Sequence, residues 1–128
     1  MSDARDRKIC ALILLPVTYN PDAAGQRKPV EDVKFMMTAE EIAREFGGGT
    51  IFRFQWGRAE GFWWEKGVLF QDDLAVVEVD VPDSSASRQW LRRYAKDVLL
   101  ERFQQEAIYI KFVGPIEQMI VIKEEIRH

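Results

Sequence analysis

With 128 residues, 47% of them hydrophobic and 30% charged, the chain has the composition of one globular domain, and a chain of this length buries roughly two-thirds of its extended surface on folding. A formal net charge of −3 argues against a general binder of phosphate backbones, which needs a basic surface to release counterions. One cysteine, Cys10, excludes an internal disulfide and a cysteine-based zinc site, and no apolar run approaches the roughly 20 residues that span a bilayer. These limits imply a single α+β domain over 1–128 with flexible ends at 1–7 and 124–128. They place it in the cytoplasm, with neither nucleic acid nor membrane as partner.

Residues 9–17 follow the charged Arg5-Asp6-Arg7-Lys8 and are apolar on both alternating faces, which suits a central strand covered on both sides. Residues 19–29 hold Asn20-Pro21-Asp22, Gly25 and Pro29 and predict a mobile loop, a candidate flap. Thr38-Ala39-Glu40-Glu41 matches a Thr-x-x-Glu capping box and predicts a short helix through Phe46 with Ile42 and Phe46 as core contacts. Gly47-Gly48-Gly49 invites a phosphate-loop reading. These glycines follow a helix instead of preceding one, so a C-cap explains them better.

Residues 50–56 alternate with period two, with Phe52, Phe54 and Trp56 on one face and Ile51, Arg53 and Gln55 on the other. Residues 74–81 form a second strand, with Val77, Val79 and Val81 opposed to Val76, Glu78 and Asp80. Between them Gly57, Gly61, Gly67 and Asp72-Asp73 punctuate the aromatic run Phe62-Trp63-Trp64, an insertion read as a small hairpin arm. Pairing the two strands as antiparallel neighbours is expected to set Arg53 and Gln55 against Glu78 and Asp80.

Pro82-Asp83-Ser84-Ser85 stops the valine strand and supplies N-cap candidates for a long helix to about Gln104. Trp90, Leu91, Tyr94, Val98, Leu99 and Phe103 give that helix an apolar flank. Arg88, Arg92, Arg93 and Lys96 line another, read as a solvated face partly neutralised by Asp97 and Glu101. Residues 107–113 alternate again, Ile108, Ile110 and Phe112 against Tyr109, Lys111 and Val113, and residues 119–122 predict an extra C-terminal strand. The order of elements predicts a ferredoxin-like βαββαβ sandwich. Its antiparallel sheet carries two helices on one face, an insertion arm and the added strand.

The pattern Gly47-Gly48-Gly49-Thr50, Gly61-Phe62-Trp63, Gly67, Asp72 or Asp73, and Phe103-Gln104-Gln105-Glu106 resembles one shared by a loose group of small bacterial proteins of unassigned function. The resemblance covers roughly the last two-thirds of the chain. It implies the same fold and carries no catalytic role.

Two functional readings compete. Seven aromatics from Phe52 to Phe70 suggest a binding or interaction domain, because such side chains dominate contact energies at interfaces. It would self-associate, as a homodimer, through its sheet face or aromatic arm, with a small-molecule or protein ligand as the other partner; Trp56, Trp63 and Trp64 are the contact candidates. The alternative is a small enzyme with Arg53, Glu78, Tyr109 and Lys111 converging on the open sheet face for acid–base work on a small molecule. Neither a cofactor motif nor a metal-spaced ligand set is present. The single histidine, His128, is the last residue.

Overall fold

The computed structural model describes the backbone of residues 7–53, 60–65 and 68–123, and the side chains of these apart from 53–73. In chain order the elements are β1 (Lys8–Pro16), α1 (Asp32–Phe46), β2 (Thr50–Arg53), β3 (Glu60–Glu65), β4 (Val68–Pro82), α2 (Ser85–Tyr94) and β5 (Tyr109–Val113). The long helix continues beyond α2 through a π-turn, Ala95–Leu99, and a last α-helical turn, Leu100–Arg102.

The strands run in the order β2-β4-β1-β5, and each neighbouring pair is antiparallel. This is the expected α+β sandwich of the βαββαβ type. β3 pairs with the first part of β4, from Glu65 opposite Val68 to Glu60 opposite Asp73, so the insertion is a hairpin arm that prolongs β4 past the sheet.

The strand parity decides the core. Ile9, Ala11, Ile13 and Leu15 of β1 and Ala75, Val77, Val79 and Val81 of β4 are buried on one face, where they meet Phe35 and Ile42 of α1 and Leu91, Leu99 and Phe103 of the long helix. Ile108, Ile110 and Phe112 pack against this core from the β5 side. Phe35 and Phe103 bring the two helices together, with ring centroids 5.3 Å apart, while Trp90 stacks on Tyr94 at 4.8 Å and meets Phe46 edge-on. Tilted and offset pairs of this kind add about 0.5–1.5 kcal/mol beyond their buried area.

Four expectations need correction. α1 begins six residues before Thr38, with Glu31 at its N-cap and no side-chain cap. Thr38 is therefore mid-helix and fully buried, and its hydroxyl donates to the Lys34 carbonyl at 2.8 Å. The loop before α1 is pinned at its base: Tyr19 N–H donates to Lys28 O at 2.8 Å, Val30 N–H to Val17 O at 2.9 Å, and the Tyr19 hydroxyl to Glu31. The Asp22 carboxylate closes its tip by accepting from Ala24 and Gln26 N–H, so the loop is a tied excursion. Residues 119–122 pair with no strand of this chain among the described residues. Finally, β2 registers Thr50 with Glu78 and Arg53 with Ala75, which puts position 53 out of step with Glu78; Gln55 lies outside the described residues.

The glycine cap is present as expected. Gly47 sits at φ 90°, and its N–H donates to Ala43 O at 2.7 Å, a left-handed closure that favours glycine. Gly49 then runs close to β4, where an added Cβ would stand 3.0 Å from Glu78 O.

Candidate functional site

Both helices occupy one face of the sheet, and the other face is built by the opposite parity of the same strands. Register lines up its side chains in rows across the strands. One row is Phe52, Val76, Leu14 and Tyr109; a second is Thr50, Glu78, Leu12 and Lys111; a third is Asp80, Cys10 and Val113. Leu12, Leu14 and Val76 are half-buried, whereas Phe52 is 41% exposed, Val113 46% and Tyr109 61%. The first row is an apolar band crossing all four strands, on a face that no core residue of either helix covers.

The same registers separate the proposed acid–base residues. Glu78 and Lys111 stand on opposite sides of Leu12, two strand spacings apart, which is roughly 10 Å, and Tyr109 lies in the neighbouring row beside Leu14. Arg53 registers at Ala75 and so does not join Glu78. For Arg53, Trp63 and Trp64 the described structure is the backbone alone, with Trp63 opposite Phe70 and Trp64 opposite Leu69 in the arm; Trp56 lies outside the described residues.

Two polar groupings escaped the sequence reading. Cys10, Glu78 and Asp80 place one ligand atom each within 4.8 Å of one another on the open face. Burial, then the charges of Glu78 and Asp80, push the Cys10 thiol above its ordinary value. Asp80 also accepts from Gln118 Nε2 at 2.6 Å, which ties the chain after β5 to β4. Cys10 lies far from Glu78 and Asp80 in sequence; strand parity, with Cys10 directly opposite Asp80, was the signal that could have joined them.

The second grouping links the helices. Arg102 grips Glu41 with both guanidinium nitrogens, at 2.7 and 3.0 Å, and donates to the Thr38 hydroxyl at 2.9 Å, while Tyr94 OH donates to Glu41 at 2.6 Å. The Arg102 hydrogen bond holds the Glu41 carboxyl below its usual range against the opposing effect of burial, and burial holds the Tyr94 phenol well above its own. Every partner in this grouping is matched, so it acts as a clamp between α1 and the end of the long helix.

No family model and no curated protein sequence matches the chain. The fold is shared with solved structures. CutA1 from Oryza sativa is 11% identical at a TM-score of 0.56, over 92% of this chain and 87% of that one. The divalent cation tolerance protein CutA1 from Thermus thermophilus is 11% identical at a TM-score of 0.56, over 88% of this chain and 87% of that one. At this identity the likeness shows the fold. Among the described residues no helix is long and apolar enough to cross a membrane.

Proposed function

We propose that the chain is a small binding domain whose first partner is itself, associating through the open sheet face. The observation that supports this is the apolar band Phe52, Val76, Leu14 and Tyr109, which crosses four strands opposite the helix layer. An apolar band on one sheet face is stabilised by a second surface of the same kind, and two-fold pairing of identical patches is the commonest way to supply it. A homodimer in the cytoplasm, where a single half-buried thiol stays reduced, fits these features. A charge placed in the band tests the reading: Val76→Lys reduces the particle to one chain in light scattering if the face is the interface.

The name of one structural neighbour, a divalent cation tolerance protein, raises a cation reading for the Cys10, Glu78 and Asp80 group. Two features weigh against it. The thiol is held toward its protonated form, whereas a metal ligand must be a thiolate, and one Asp80 oxygen is already engaged by Gln118. The acid–base enzyme reading has less support still, because Leu12 stands between Glu78 and Lys111.

A further inference from the structure

The segment 119–122 is the most exposed apolar stretch among the described residues: Met119 and Ile120 are 83% exposed, Val121 79% and Ile122 55%. It consists of strand-forming residues yet pairs with no strand among the described residues. Among the described residues β5 ends the sheet with an unpaired edge. Beside that edge an open groove of about 510 Å³ runs between β5 and the long helix. Its floor is Ile108, Ile110 and Phe112, and Arg88, Arg92 and Lys96 stand on its helix side.

We infer that residues 119–122 form an added strand on the β5 edge of a second copy, with one side of the strand packed into this groove. The inference rests on the self-association reading and names the contact that completes it. Alternation in the segment sends Ile120 and Ile122 to one side and Met119 and Val121 to the other, so one pair meets the groove floor and the other extends the open-face band. Arg88 is already paired with Asp83 at 2.8 Å and lies over the Phe112 ring at 5.2 Å, which keeps the floor oriented.

The segment does not reach the β5 edge of its own chain. After β5, Ile116 N–H donates to Lys8 O of β1 at 3.1 Å and the Gln118 side chain reaches Asp80 on β4, so the chain leads away from the outer edge of β5. The donor and the edge therefore belong to different copies, exchanged reciprocally in a dimer or head to tail in a ring.

The test compares the wild-type chain with an Ile120→Glu, Ile122→Glu variant, by light scattering and by amide hydrogen exchange. Both side chains are exposed, so thermal melting of the separated chain serves as the check on folding. The expected result is a wild-type mass of two or more chains, a fall to one chain in the variant, and loss of amide protection in β5. A variant that keeps the wild-type mass overturns strand donation while leaving self-association standing. A wild-type chain of single mass overturns both. A variant that dissociates but loses protection in β2 and not in β5 overturns the choice of edge.

Discussion

Glu41 accepts from the Tyr94 hydroxyl and from both terminal nitrogens of Arg102, all on the long helix, and its loss is felt by both residues. Glu41→Gln leaves Arg102, 11% exposed, facing a neutral amide, and removal of a hydrogen bond to a charged, mostly buried group costs about 2 kcal/mol. The folded-state carboxyl is held below its ordinary 4.5, so its contribution is full above that pH and is lost as pH falls through the depressed folded value. The expected outcome is a gap in urea stability between wild type and Glu41→Gln of about 2 kcal/mol at pH 7 that narrows steadily below pH 4.5. An equal gap at pH 7 and pH 3 would contradict the assignment. Cys10 gives a second residue-scale prediction: with its thiol pushed up by burial and by Glu78 and Asp80, iodoacetamide modifies it more slowly than free cysteine at neutral pH. Asp80→Asn speeds the reaction, and added zinc leaves the wild-type rate unchanged; protection by zinc would favour the cation reading instead.

At the scale of elements, legibility followed the strength of periodicity. β1, the 74–81 part of β4 and the apolar flank of the long helix carry clear repeats, and the core lies where parity and helical spacing put it; the first part of β4, across Asp72-Asp73, has no such repeat and reads as part of the arm. The start of α1 was hidden because a mid-helix Thr38 followed by Glu41 mimics a capping box; both residues instead serve Arg102, some 60 positions downstream. The true signal was weaker, an acidic Asp32 in the first turn after Pro29 and Val30. The register of β2 was likewise beyond local reasoning, since a one-residue slip moves every side chain to the other face and only the turn lengths choose. Ser84 behaves as the sequence implies: its Oγ accepts from Ser87 N–H at 3.2 Å at the head of α2. Ser84→Ala is expected to lower stability by about 1 kcal/mol in chemical denaturation, and no change would show that the Asp83 to Arg88 ion pair holds that end by itself.

At the scale of the whole molecule, one sheet serves two surfaces. Its helix face closes the core with alternate residues of β1 and β4, and its open face carries the half-buried Leu12, Leu14 and Val76 between the exposed Phe52 and Tyr109. The second apolar face of β1, legible in the sequence, continues in the fold as a row across all four strands, and the proposed catalytic groups do not converge on it. Whether this face is used between copies is therefore the central question. The most direct measurement is the light-scattering mass of the wild-type chain beside Val76→Lys, at equal concentration and with matching circular dichroism. Self-association through the open face predicts a mass of two or more chains for the wild type and of one chain for Val76→Lys. A single-chain mass for the wild type, or an undiminished mass for a folded Val76→Lys, would contradict it.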